Sequence, residues 1–329
     1  MAVDDGQAAD LVRGHRVQDL GCLLLSFVWY ARPGGRPRDA AYPRRRGVHG
    51  TPELTRDGER FVRLRVMSVT VRNNVRVTGR PDGRPMVFAH GFGCDQNMWR
   101  LVAPAFEDDH RVVLFDYVGS GGSDLSAYSP ERYSSLQGYA QDVLDICAEL
   151  DLTDAVFVGH SVSAMIGALA AIREPARFGA LVMVGPSPRY IDDEGYVGGF
   201  SATDIEELLE SLDSNYLGWS SAMAPVIMGN PERPELGTEL TNSFCRTDPE
   251  IAKRFATVTF TSDNRADLSR VPARCLILQC SEDVIAPVEV GTFVHENIPG
   301  SELVLMRATG HCPNLSAPEE TIAAIKAFV

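Results

Sequence analysis

The stretch Val156-Phe157-Val158-Gly159-His160-Ser161-Val162-Ser163-Ala164 constrains this chain more than any other. An apolar run of strand length ends in a glycine and a tight turn, and Met165 to Ala171 then reads as helix. A serine at a sharp strand-to-helix turn has its Oγ thrust out past the sheet. The next backbone N–H, that of Val162, is then aimed at any oxyanion forming there. The helix N-terminus adds partial positive charge. The pattern is G-x-S-x-G, with Ser163 in the place of the last glycine. An ordinary βα turn with an N-cap serine has similar letters, so the residues that follow the other strands must decide.

Around this stretch, strand and helix patterns alternate from Met67 to the end. Val69-Thr70-Val71 and Val75 to Thr78 flank Asn73-Asn74, which reads as a hairpin. Met86 to Ala89 is a short buried strand, Gln96 to Phe106 a helix, and Arg111 to Phe115 a strand that ends at Asp116. Ser135 to Leu150 carries apolar residues at helical spacing. Later come a strand at Ala180–Val184, a strand at Cys275–Leu278, a helix at Val288–Ile298, a strand at Glu302–Met306 and a closing helix at Glu319–Val329. Such alternation specifies an α/β fold with a mostly parallel central sheet and helices on both faces, with ligands at the carboxyl ends of the strands.

Those strand ends carry the chemistry. Gln279-Cys280-Ser281-Glu282-Asp283 follows one late strand, and Arg307-Ala308-Thr309-Gly310-His311 follows the next. Serine is a weak nucleophile at neutral pH. It needs an imidazole to take its proton, and a carboxylate to hold that imidazole in the right tautomer. The order Ser161, Asp283, His311 supplies all three in the sequence order of an α/β-hydrolase triad. Glu282 competes with Asp283 for the acid position. The loop His90-Gly91-Phe92-Gly93 follows the Met86–Ala89 strand, where a second oxyanion donor is needed; Phe92 N–H is the candidate, paired with Val162 N–H. His90 reads as a loop-holding histidine and His160 as packed sideways.

Four segments together resemble one subfamily of α/β-hydrolases. They are His90-Gly91-Phe92-Gly93-Cys94-Asp95-Gln96, Asp116-Tyr117-Val118-Gly119-Ser120-Gly121, Gly159-His160-Ser161-Val162-Ser163 and Gly310-His311-Cys312-Pro313. The subfamily holds the bacterial stress-signalling hydrolase RsbQ and the plant karrikin and strigolactone receptors. The resemblance covers about Met67 to Val329. It implies a core made of 67–185 and 268–329, with 186–267 inserted as a helical cap. Thr203–Leu212, Tyr216–Met228 and Pro249–Phe260 read as helices of that cap, with Pro225, Pro231 and Pro234 as breakers. Phe92, Phe200, Trp219 and Met223 are candidates for a pocket wall; the alternative is that such apolar residues only hold the cap helices together. Asp283 stands four residues before Pro287, a spacing common in such enzymes, and is preferred over Glu282.

Two functions follow from the resemblance. One is a serine hydrolase acting on a small, mostly apolar ester or lactone through an acyl-serine, in an RsbQ-like stress pathway. The other is a ligand-sensing protein whose cap binds a partner, with slow or single-turnover hydrolysis. The RsbQ likeness implies a partner such as a PAS-domain phosphatase.

Charge and composition narrow the remainder. The chain has 329 residues and a formal net charge of −13, which argues against a nucleic-acid surface. Residues 1–66 hold twelve arginines and eight acids, a net of +4, leaving −17 for the rest. Their Arg-, Pro- and Gly-rich composition reads as a disordered leader. The apolar run Leu20–Ala31 is too short to span a bilayer. Asp4, Asp5, Asp10 and Asp19 around it spoil a secretory signal, so a cytoplasmic location is expected. Seven irregularly spaced cysteines make no disulfide framework, and no Cys/His ligand cluster appears, so neither metal nor cofactor is expected.

Overall fold

The computed structural model describes residues 68–329; the expectations for the leader and its apolar run lie outside the described residues. Seven strands form one sheet: β1 (Arg76–Gly79), β2 (Arg84–Ala89), β3 (His110–Leu114), β4 (Ala155–His160), β5 (Phe178–Val184), β6 (Arg274–Glu282) and β7 (Glu302–Thr309). Their spatial order is β1-β3-β2-β4-β5-β6-β7. Only β1 runs antiparallel, against β3; every other pairing is parallel. β4 is buried along its whole length, as a central strand covered on both faces must be.

The main covering helices are α1 (Leu136–Glu149) and α2 (Val162–Arg173). Four helices come between β5 and β6: α3 (Ala202–Ser214), α4 (Tyr216–Met228), α5 (Pro234–Phe244) and α6 (Pro249–Phe260). α7 (Val288–Asn297) and α8 (Pro318–Phe328) follow β6 and β7. Asp142 of α1 is fully buried. Arg72, Arg132, Tyr133 and Asn73 meet its carboxylate, so the charge is compensated where water is excluded.

Some local expectations need correction. The hairpin around Asn73-Asn74 does not form: Val69–Arg72 is a helical turn, and β1 pairs with β3 instead. The Glu149 carboxylate accepts from the N–H groups of Val69 and Thr70 and coils this segment. Both asparagines also bond to Asp116: Asn73 Nδ2 donates to its carbonyl and Asn74 Nδ2 to its carboxylate. The expected helix at Gln96–Phe106 divides into two 3₁₀ turns, Gln96–Trp99 and Ala103–Phe106. Pro104, the second residue of the second turn, has no N–H to continue the first.

Of the three prolines expected to break helices, Pro225 lies inside α4. Its carbonyl accepts from Gly229 N–H at 3.0 Å, so the helix continues to Met228 despite the missing proline donor. Pro234 opens α5 at a position where proline's lack of an N–H costs nothing. The sequence reading did not identify α5. Its signal was Leu236, Leu240 and Phe244 at four-residue spacing behind that proline, and all three are buried.

Candidate active site

β4 ends at His160 and α2 begins at Val162, so Ser161 alone makes the turn between them. Its φ of 56° and ψ of −125° lie in a region that non-glycine residues rarely adopt. Neighbouring bonds hold it there. Ser161 N–H donates to the Val184 carbonyl at the end of β5 at 2.8 Å, and the Ser161 carbonyl accepts from Ala164 N–H at 2.9 Å. Val162 N–H is among the first helix donors, which have no intrahelical acceptor.

Ser163, standing where the motif has glycine, is fully buried. Its hydroxyl donates to the His90 carbonyl and lies 3.0 Å from the Tyr117 hydroxyl. The serine thus ties α2 to the loop after β2. His90 holds the same loop: its Nε2 accepts from Tyr117 N–H at 3.2 Å and its Nδ1 donates to the Gly91 carbonyl at 2.9 Å.

His311 Nε2 lies 2.8 Å from Ser161 Oγ, and His311 Nδ1 lies 2.7 Å from Asp283 Oδ2. Asp283 Oδ1 accepts from the N–H groups of Ile285 and Ala286, at 2.8 and 3.1 Å. One carboxylate oxygen is thus fixed by the loop backbone, and the other faces the imidazole. All three residues are at most 7% exposed, so bulk water does not screen the relay. Glu282, the last residue of β6, is exposed, whereas Asp283 is buried; the Glu282 carbonyl accepts from Gly310 N–H at 2.6 Å.

The backbone of His311 is held on both sides. Its N–H donates to the Ile227 carbonyl in α4 at 2.9 Å, and its carbonyl accepts from His160 Nε2 at 2.7 Å. Asn230 Nδ2, just past α4, donates to the Thr309 carbonyl at 3.1 Å. Gly310 has φ +77°, and a Cβ there would overlap the Met228 carbonyl, so only glycine permits this approach. Burial pushes His160 down to about 3, with the nearby His311 adding to the effect; its ring stays neutral and can donate through Nε2.

Ser161 and His311 open into a cavity walled mainly by apolar side chains, as small-molecule sites are. Phe92 and Trp219 line it, together with Tyr190, Ile227, Phe244 and Phe260. Phe92 is the hub of this wall, with ring centroids 5.8 Å from Phe244, 6.2 Å from Trp219 and 6.3 Å from Phe260. Among the described residues no group of His, Cys, Asp or Glu is placed to hold a metal ion, and no helix is long and apolar enough to cross a membrane.

Residues 86–324 match the model of the alpha/beta hydrolase family. The chain belongs to this family. It is 40% identical over 251 residues to a probable esterase of Oryza sativa subsp. japonica, covering 76% of this chain and 93% of that one. It is 39% identical to the karrikin insensitive 2 receptor CA of Petunia hybrida, with the same coverage. Among solved structures, the hydrolase olei00960 of Oleispira antarctica superposes with a TM-score of 0.77 at 44% identity, covering 79% of this chain and 95% of that one.

In this α/β hydrolase, two of the pocket candidates are not among the cavity-lining residues. Phe200 is 3% exposed and tied by its backbone, its N–H donating to the Tyr190 carbonyl at 3.2 Å. Met223 is buried on α4, at helical spacing between Trp219 and Ile227, which do line the cavity. An apolar helical residue looks the same in sequence whether it faces a ligand or a neighbouring helix. The reading missed Tyr190, whose side chain lines the same cavity as Ser161; burial pushes its phenol well up, so the hydroxyl stays protonated. Its signal was position, for Gly185-Pro186-Ser187-Pro188-Arg189-Tyr190 directly follows β5. Thr259 and Ile285, also in the wall, carried no such signal.

Proposed function

We propose that this protein hydrolyses small, mostly apolar esters or lactones through an acyl intermediate on Ser161. The observation that carries the reading is the 2.8 Å contact between Ser161 Oγ and His311 Nε2 at the floor of an apolar cavity. Ser161 Oγ attacks the acyl carbonyl and its proton passes to His311 Nε2. Asp283 holds Nδ1–H and stabilises the imidazolium. The N–H groups of Val162 and Phe92 receive the oxyanion. Collapse expels the alkoxide, which takes the proton back from His311 and leaves acyl-Ser161. Water then attacks along the same proton route and releases the acid. With a lactone, the freed alcohol stays on the acyl chain, and the last step releases a hydroxy acid.

The test is Ser161→Ala, which should abolish hydrolysis of p-nitrophenyl acetate. A serine-directed phosphonate should label Ser161 and no other serine; labelling elsewhere would overturn the assignment.

A second reading is that ligand sensing is the main role, with slow turnover and a cap that engages a partner. It is favoured by the bond from His311 N–H to the Ile227 carbonyl, which joins the reacting histidine to α4, and by the receptor named among the relatives. We extend this reading to a stress pathway with a PAS-domain phosphatase as partner, on the resemblance to RsbQ. A cytoplasmic setting belongs to the same reading. The six described cysteines are free thiols, which suits a reducing compartment. Partner capture lost on substitution of exposed cap residues such as Leu217, with esterase activity kept, would support it.

A further inference from the structure

Thr259 sits on α6 between two threonines whose hydroxyls are spent on their own helix. Thr257 Oγ1 donates to the Lys253 carbonyl at 2.9 Å, and Thr261 Oγ1 to the Thr257 carbonyl at 2.7 Å. Bonding back to the residue four earlier is a common use of a helical hydroxyl. Thr238, Thr241, Thr292 and Thr321 do the same in other helices. Thr259 does not. Its Oγ1 is buried and, among the described residues, bonded to nothing, while the residue is 1% exposed. Such groups are uncommon in native proteins. Thr259 also lines the cavity that holds Ser161 and His311. The next residue, Phe260, meets Tyr190 ring to ring at 5.0 Å, and Tyr190 lines the same cavity as Ser161. The wall that carries Thr259 therefore runs to the reacting serine.

We propose that Thr259 is a specificity-determining residue whose hydroxyl pairs with an oxygen of the bound molecule. The preferred ligand is then an ester or lactone that bears a second oxygen function, an ether, ketone or hydroxyl, in addition to the reacting acyl group. A purely hydrocarbon ligand would leave the hydroxyl unpaired in the filled cavity, whereas an oxygenated one satisfies it. A site with a hydrogen-bonding group to satisfy discriminates against analogues that lack the partner. The proposal rests on reading the cavity as the site of acyl hydrolysis.

Thr259→Val keeps the side-chain shape and removes the hydroxyl. The probes are p-nitrophenyl hexanoate and its analogues in which an ether oxygen replaces each successive chain methylene in turn. Two measurements are made with each probe: kcat/KM in the Ser161 protein, and Kd for the intact ester in the Ser161→Ala background. At one oxygen position the substitution should weaken binding and lower kcat/KM by about five- to tenfold, as for one lost hydrogen bond. The effect should lie in KM and Kd and should exceed whatever change the hexanoate shows. Ratios within about twofold across the whole series would overturn the proposal, since that is less than one hydrogen bond. Thr259→Val should also leave the Tm unchanged or raised, because no bond within the protein is lost. A clear fall in Tm would show the hydroxyl to be paired internally and would likewise overturn it. Discrimination in Kd without turnover of any ester would refute the hydrolysis reading alone.

Discussion

The backbone N–H of His311 donates to the carbonyl of Ile227 at 2.9 Å, so the histidine loop hangs from the last turn of a helix that also lines the ligand cavity. Asn230 repeats the link by donating to the Thr309 carbonyl at 3.1 Å. A movement of α4 therefore acts directly on the imidazole that must meet Ser161.

Asn230→Ala should loosen this link without touching the reacting groups. The expected result is a fall in kcat on p-nitrophenyl acetate of about tenfold, as for a small misplacement of a reacting group, with little change in KM. An unchanged kcat would show that the Ile227 bond positions His311 unaided.

The acid can be assigned by substitution. Asp283→Asn should lower kcat by on the order of 10⁴, because the amide favours the wrong imidazole tautomer. Glu282→Gln, at an exposed position, should stay within a few-fold. Reversed effects would give the acid's role to Glu282.

His160 couples stability to pH. Its folded value is about 3 against an ordinary 6.5. The unfolded chain therefore binds a proton that the folded chain refuses over that interval. Stability is fully present above about 6.5 and is lost as pH falls toward 3, at up to about 1.4 kcal/mol per pH unit from this group. Urea titrations at a series of acidic pH values should show this slope in the wild type and a shallower one in His160→Gln. Equal slopes would contradict a buried neutral His160.

Ser163→Ala tests the elbow's packing. It leaves the His90 carbonyl and the buried Tyr117 hydroxyl without the serine between them, at a cost of about 1–3 kcal/mol. A denaturation midpoint equal to that of the wild type would show that Ser163 is only tolerated there.

The sequence by itself determined the α/β layering and the positions of Ser161, Asp283 and His311. Each of the three lies at or just beyond the carboxyl end of a strand, and strands and turns leave a short-range signal in residue period and breakers. The elbow was readable because a glycine, a serine and a helix start must be adjacent for the chain to turn so sharply. Choosing Asp283 over Glu282 rested on one spacing, and only the fold shows which carboxylate faces the imidazole.

Only the tertiary structure decided the course of the first segment and the make-up of the cavity wall. Asn73-Asn74 has the letters of a hairpin, yet Glu149 and Asp116, far along the chain, supply the partners that coil it instead. Trp219 and Met223 are both buried and lie four residues apart on α4, yet of the two Trp219 is in the cavity wall and Met223 is not. The unpaired hydroxyl of Thr259 differs from those of Thr257 and Thr261 only in what surrounds it. Local pattern fixes which face of an element is apolar. What that face meets depends on segments that chain folding brings together from far apart in sequence, and no local window records them.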